Sequence, residues 1–418
     1  MIKLLIIADD FTGALDTGVR YAESGAIIKV VVRRSLDIEK MNIEELDVLV
    51  INIESRHLDS SGAYEIVHNI VKKARQFGIP HIYKKTDSGL RGNVASELTA
   101  LLDASSEKFL PFIPAFPEIN RITVQGIQYV DGMPLEESVY RQDPFEPALV
   151  SYIPNLFQGY GANVKVFMKD KQYDAVEEER MIGVFDAETQ EDLEKIVSHL
   201  KDKNQLSISA GCAGFATVLK DVIDVRKKEK EIKKYMLPKR LFVVCGSINE
   251  ISKEQLEFAQ QHGFCRMTME PTEQLQQGYL ESDEGLRWVN RLKYYYMNEK
   301  CCILDTATIN VKEKADVVRY DIQSARVQVG QFLGKVINNL LECKVENTVI
   351  IIGGDTLLQF FETMGCDEVI PVCEIQPGLV LSLMSIKNRK RWVISKSGGF
   401  GNKELLVELL ELIINERI

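Results

Sequence analysis

Two adjacent carboxylates, Asp9 and Asp10, follow directly on the apolar run Lys3 to Ala8 and precede Phe11-Thr12-Gly13. A short apolar run bounded by turn residues reads as a buried strand. Ligands of open α/β sheets bind at the carboxyl ends of strands. Paired carboxylates placed there can accept hydrogen bonds from substrate hydroxyls, ligate magnesium or supply a base. The plainer alternative is that one aspartate caps the next helix and the other is exposed.

A second polar stretch, Lys84-Lys-Thr-Asp-Ser-Gly-Leu-Arg-Gly-Asn93, follows another short apolar run. Arg91 offers a planar fork that suits a carboxylate or a phosphate. Asp87 and Ser88 are short polar groups at a strand end, and Gly89 and Gly92 would let the backbone approach a ligand. A charged loop with a surface ion pair is the alternative.

The strongest anion signal lies later. Val349 to Ile352 stops at Gly353-Gly354-Asp355-Thr356, and a helical apolar pattern begins. The first turn of a helix offers unpaired N–H groups and partial positive charge, which suit a phosphate; Asp355 or Thr356 as a simple N-cap is the alternative. Gly246-Ser247 and Gly398-Gly399 have the same grammar, each after an apolar run. Neither the Walker A loop nor the Rossmann glycine fingerprint is present. Together the three turns suggest one nucleotide pocket lined by main-chain N–H groups.

The elements that must position these groups alternate strand and helix from the start, which predicts an α/β fold. Ser60 to Phe77 has a helical apolar face, and Val124 to Pro134 reads as a hairpin turning at Asp131-Gly132. Ser252 and Gln255 read as a capping box. The Tyr294-Tyr-Tyr296 patch is expected in the core. Asp224 to Lys239 is the densest charge run and lacks an apolar face. It is expected to divide an N-terminal domain, 1–225, from a C-terminal domain, 241–418, through a linker at 226–240, with a solvated helix as the alternative.

The 418 residues are 45% hydrophobic and 27% charged, as in soluble globular proteins. With 51 Lys and Arg against 61 Asp and Glu, the net charge of −10 argues against a nucleic-acid face. No apolar run reaches a membrane span, and the N-terminus lacks signal-peptide character. The eight cysteines all follow position 210 without a Cys-x-x-Cys pair, and the five histidines are scattered. Reduced thiols in a cytoplasmic protein are expected, and neither a zinc site nor a histidine metal site is.

In order and spacing these residues resemble the four-carbon acid sugar kinase family. The resemblance rests on Ala8-Asp-Asp-Phe-Thr-Gly-Ala-Leu-Asp16, Lys84 to Ser88 with Leu90-Arg-Gly-Asn93, Pro114-Ala-Phe-Pro117 and Asp131-Gly-Met-Pro-Leu135. It continues through Gly246-Ser247, Gly353 to Thr356, Pro377-Gly378 and Lys396 to Gly401. It implies two α/β domains with a ligand cleft between them, the first for a sugar acid and the second for ATP. It also implies phosphorylation of threonate, erythronate or 3-oxo-tetronate on the terminal hydroxyl. ATP contacts are implied at Ser247, Gly353, Gly354, Asp355, Thr356, Gly398 and Gly399, with Mg2+ bridging the outer phosphates. Arg91, helped by Lys85, is expected to bind the substrate carboxylate, with Thr12, Gly13 and Ser88 beside it. Asp9, Asp10 or Asp87 is expected to act as base. Domain closure, hinged at Asp224 to Lys239, would exclude water. Gly89 stands where the family has Thr, and Asn120-Arg-Ile122 where Gly-Arg-Thr is common; both bear on which acid is used. A non-catalytic sensor is the rival reading. No nucleic-acid or membrane partner is expected, and a homodimer stays open.

Overall fold

The computed structural model describes residues 2–37, 43, 45–142, 147–169, 180–226, 234–247, 249–270, 273, 275–306, 322–386 and 389–418. The chain divides into two compact units, Met1–Lys230 and Glu231–Ile418.

Every residue of β1 (Leu4–Ala8) and β3 (Val48–Asn52) is buried. Strands this uniformly apolar belong in a parallel sheet covered on both faces. In chain order the first unit runs β1, α1 (Phe11–Glu23), β2 (Ile28–Val32), β3, α2 (Ser60–Gln76), β4 (His81–Lys85), α3 (Val94–Ser105) and β5 (Phe109–Ile113). Then come β6 (Arg121–Val124), β7 (Ile127–Val130), β8 (Met133–Pro134), β9 (Asn163–Phe167), β10 (Met181–Phe185), α4 (Gln190–Asp202), β11 (Ile208–Gly211) and α5 (Ala213–Val222). The parallel strands lie in the order β9-β10-β5-β11-β4-β1-β3-β2. The chain fills one side of β1 with β2 and β3, then crosses to the other side with β4. That reversal is the kind of switch point at which α/β sheets open a crevice. The expected hairpin is a three-stranded meander, β6-β7-β8, with turns at Gln125-Gly126 and Asp131-Gly132.

The second unit runs β12 (Leu241–Cys245), α6 (Glu250–Gln261), β13 (Cys265–Met269), α7 (Asp283–Asn298), β14 (Cys301–Thr306), α8 (Ile322–Leu341) and β15 (Thr348–Ile352). It ends with α9 (Gly354–Met364), β16 (Glu368–Gln376), β17 (Leu379–Ile386), β18 (Arg389–Lys396) and α10 (Leu405–Ile414). Its sheet order is β13-β14-β12-β15-β18-β17-β16, parallel through β18 and antiparallel beyond. Here too the order reverses, between β12 and β15.

Part of the charge run expected as a linker, 227–233, lies outside the described residues. Beyond it Tyr235 donates its N–H to the Ile418 carbonyl at 2.8 Å, and Leu237 joins the second core. Of the three tyrosines expected in the core only Tyr296 is buried; Tyr294 is 59% exposed, because neighbouring positions on a helix face different directions. All eight cysteines are free thiols. Among the described residues, no helix is long and apolar enough to cross a membrane.

Candidate active site

Register delivers three loops to one edge of the first sheet. Ala8 pairs with Asn52 of β3 and with Lys85 of β4. Asp9 and Asp10 therefore leave β1 beside Ser55 and Arg56, which follow β3, and Asp87 and Ser88, which follow β4. Asp10 caps α1: its Oδ1 accepts the Gly13 N–H at 3.1 Å and its Oδ2 accepts Thr12 Oγ1 at 2.6 Å. Asp9 is not the exposed partner that simple capping would leave. It is 2% exposed, and its Oδ2 accepts Arg56 Nε at 3.0 Å and Nη2 at 2.8 Å. Arg56 Nη2 also lies 3.1 Å from Asp10 Oδ1 and 3.7 Å from Asp87 Oδ1. One guanidinium thus reaches three carboxylates.

Asp87 is gripped by Arg91, Nε to Oδ2 at 2.7 Å and Nη2 to Oδ1 at 3.0 Å. Burial works to raise the Asp10 and Asp87 carboxyls. Arg56 and Lys85 at Asp10, and Arg91 and Arg56 at Asp87, outweigh it, holding Asp10 below and Asp87 well below the usual carboxylate range. One oxygen of the cluster is left over: Asp9 Oδ1 is buried without a hydrogen-bond partner.

The two lysines that end β4 point to opposite faces, as alternate strand residues do. Lys85 lies across the first turn of α1 and donates to the Thr86 carbonyl at 2.8 Å. A Cβ on Gly13 would fall 2.7 Å from Lys85 Nζ and 2.5 Å from Asp10 Oδ1, so only glycine admits this approach. Lys84 is fully buried, with Nζ 2.9 Å from Glu97 Oε2. Burial raises the Glu97 carboxyl, although Lys84 draws it down. Ser55 donates its hydroxyl to Glu97, and Asn93 Nδ2 donates to the Ser55 and Leu58 carbonyls at 2.9 and 2.8 Å. Helix α3 therefore anchors the loop that carries Arg56.

Beyond β5 the proline-rich loop closes on itself. Phe116 N–H donates to the Arg121 carbonyl at 2.7 Å, Arg121 N–H returns the bond at 3.2 Å, and Asn120 turns at φ 54°. Arg121 then donates to Ser88 Oγ and to the Tyr140 hydroxyl. The Tyr140 ring centroid lies 4.9 Å from Arg91 Cζ and 5.1 Å from Arg121 Cζ, within cation–π range. A Cβ on Gly89 would come 3.0 Å from Tyr140 Cδ1, so the missing side chain makes room for this ring.

In the second unit, register aligns Cys245 with Ile352 and Ile352 with Lys396. The three glycine turns therefore stand side by side at the ends of β12, β15 and β18. Gly246 packs against Thr356 Oγ1 and Gly398 against Ser247 Oγ too closely for a Cβ. Gly353, at φ 107°, starts α9 without a side-chain cap. The alternative of a simple side-chain cap does not hold: Asp355 and Thr356 lie within the first turn, Asp355 half-buried and Thr356 buried. Gly354 lies beside them, and Gly399 is exposed.

The expected capping box at Ser252 and Gln255 is also corrected. Asn249 caps α6 through the Ile251 N–H at 3.0 Å. Ser252 Oγ donates to the Gly398 carbonyl at 2.8 Å, and Gln255 Nε2 to the Phe400 and Asn402 carbonyls at 3.0 and 2.8 Å. Both side chains fasten the last glycine turn.

Lys396 supports that turn from inside, fully buried, with Nζ donating to the Ser397 carbonyl at 3.0 Å and the Gly398 carbonyl at 3.3 Å. Burial lowers its pKa to about 8, opposed by the Cys245 thiol. An unfolded lysine keeps its proton to about pH 10.5. Between those values the unfolded chain binds more protons than the folded one, so this residue adds stability as pH rises through the window. Wild type should therefore gain stability relative to Lys396→Met between about pH 7 and about pH 10. Denaturant midpoints of both proteins at the two pH values check this; parallel pH dependences contradict it.

The structure thus brings Asp9, Asp10, Thr12, Gly13, Lys85, Asp87, Ser88 and Arg91 to one sheet edge. It groups Ser247, Gly353, Gly354, Asp355, Thr356, Gly398 and Gly399 about the other. Sequence reasoning passed over Arg56, Glu97 and Tyr140, and gave no separate role to Lys84, Arg121 and Lys396, which lie within the stretches compared with the family pattern. Lys396 had a signal, a cation ending an apolar run directly before a glycine turn; Arg56 had no local one.

These two halves correspond to two described families: residues 4–219 match a sugar-binding N-terminal domain and residues 242–406 a nucleotide-binding C-terminal domain. Fold and site define a two-domain protein of sugar-binding and nucleotide-binding parts. The chain belongs to the four-carbon acid sugar kinase family. It is 28% identical to a D-threonate kinase of Salmonella typhimurium over 438 residues, covering 99% of this chain and 98% of that one. It is 30% identical to a D-erythronate kinase of Heliobacterium modesticaldum over 277 residues, covering 62% and 60% of the two chains. A solved structure from Salmonella typhimurium LT2, described as a proposed tRNA synthase, superposes with a TM-score of 0.79 at 22% identity, over 98% of this chain and 99% of that one. At that identity the likeness shows the fold.

Proposed function

We propose that the chain transfers the γ-phosphoryl group of ATP to the terminal hydroxyl of threonate, erythronate or 3-oxo-tetronate. The observation that carries this reading is the largely buried cluster of Asp9, Asp10 and Asp87 around Arg56, in a unit matched to sugar-binding domains. A separate unit of this chain holds the side-by-side glycine turns.

Phosphoryl transfer depends on positioning and charge neutralisation more than on covalent catalysis. Within the cluster, Asp10 is committed to capping and Asp87 to Arg91. Asp9 keeps Oδ1 without a partner. A buried unpaired acceptor is costly, and a substrate hydroxyl bonded there relieves the cost. Asp9 therefore orients the attacking hydroxyl and takes its proton. Thr12, Gly13, Lys85 and Ser88 border the acid. Main-chain N–H groups at Ser247 and Gly354, with Thr356, Gly398 and Gly399, hold the phosphates, and Gly353, whose own N–H donates to the Lys396 carbonyl at 3.0 Å, leaves room for their approach.

Among the described residues no group of three or more metal-binding side chains occurs. Mg2+ is commonly held by one or two carboxylates plus substrate phosphates, so it would arrive with ATP. Asp355, the acidic residue in the first turn of α9, would be a carboxylate available to it. Mg2+ would supply neutralisation of phosphate charge.

A coupled ADP-release assay with Mg2+ and ATP, run against stereoisomers of the three acids, tests the reading. Acid-dependent ADP release with one of them is expected. Acid binding without turnover would replace the kinase with a sensor.

A further inference from the structure

We propose that Arg121, not Arg91, receives the carboxylate of the sugar acid, with Lys85 as the second positive charge. This rests on the kinase reading and names the group that recognises the acid end of its substrate.

In the N-terminal cluster Lys84 is paired with Glu97, Arg56 with Asp9 and Asp10, and Arg91 with Asp87 through both arms of its fork. Arg91, the residue expected to hold the acid, is thus committed to positioning Asp87. Arg121 is different. Its Nη1 and Nη2 hold the neutral hydroxyls of Ser88 and Tyr140, and its Nε is buried without a partner. Lys85 Nζ bonds a backbone carbonyl. Among the described residues neither forms a salt bridge.

Four carboxylates, Asp9, Asp10, Asp87 and Glu97, therefore stand against five cations, Lys84, Lys85, Arg56, Arg91 and Arg121. A half-buried excess cation is costly unless an anion joins it. A monoanionic acid supplies one charge. A guanidinium held by two hydroxyls and backed by an aromatic ring is preorganised, so little side-chain entropy is lost on binding. The closed Phe116–Arg121 loop fixes its base.

The test compares the acid that wild type turns over with the neutral polyol of the same length, which keeps the terminal hydroxyl and lacks the carboxylate. Arg121→Gln should raise KM for the acid about 10–100-fold, the worth of a charge-assisted hydrogen-bonded pair, with kcat at saturation and KM for ATP little changed. Acid binding measured by calorimetry should weaken to match, while the polyol is unaffected. Arg121→Lys should recover part of the acid affinity, which a purely structural role would not predict. Equal losses for acid and polyol, or selective loss of the acid in Arg91→Gln but not in Arg121→Gln, would overturn the inference. Failure of wild type to turn over any four-carbon acid would instead overturn the kinase reading, and this inference with it.

Discussion

Replacing Asp9 with asparagine is expected to lower kcat by about 10²–10⁴-fold, the range for loss of a general base. Asparagine keeps the shape and still accepts a hydrogen bond from Arg56, but its amide cannot take the hydroxyl proton. Asp10→Asn serves as the comparison. Asp10 Oδ1 accepts the Gly13 N–H, and asparagine caps a helix about as well as aspartate. Its kcat is expected to fall by about tenfold or less, since the cap survives and only charge beside Arg56 is lost. Steady-state kinetics of both variants, with thermal unfolding as a control, decide the assignment. A larger loss in Asp10→Asn than in Asp9→Asn would move the base to Asp10.

The second large effect is on stability. Lys84 and Glu97 are 0% and 1% exposed. Lys84→Met leaves Glu97 in the core without its cation, and breaking a buried pair from one side costs about 3–5 kcal/mol. Denaturant unfolding should show that loss. Adding Glu97→Leu should restore much of it, because removing both charges leaves no isolated ion. The double variant should still have reduced activity, since Ser55 loses its acceptor and the Arg56 loop its anchor. A Lys84→Met loss below about 1 kcal/mol would mean that the pair contributes no more than a surface ion pair.

The α/β alternation was legible because buried parallel strands are short apolar runs and the helices carry apolar faces. Asp9, Asp10 and Asp87 were legible because strand ends are where ligands bind. Their partner Arg56 was not: it reaches Asp9 across 47 residues through parallel pairing of β1 with β3, and no local pattern encodes that pairing. Ser252 and Gln255 show the same limit. Their spacing satisfies a local rule, yet their partners lie about 146 residues away on the last glycine turn. Strand β17 continues the antiparallel meander from β16 through the Pro377-Gly378 turn, a pairing set by the turn and not by local periodicity. The Arg91 fork suits any carboxylate, and its bond to Asp87 of the same chain is a contact that residue type alone does not reveal.

This chain is expected to place phosphate on the terminal hydroxyl of a four-carbon acid. The most direct measurement is phosphorus–proton correlation spectroscopy of the product formed from ATP, Mg2+ and the acid that supports ADP release. A phosphate ester coupled to the terminal methylene protons, formed by wild type and nearly absent with Asp9→Asn, is the expected result. Coupling to a methine proton, or ADP release that yields only inorganic phosphate, would contradict it.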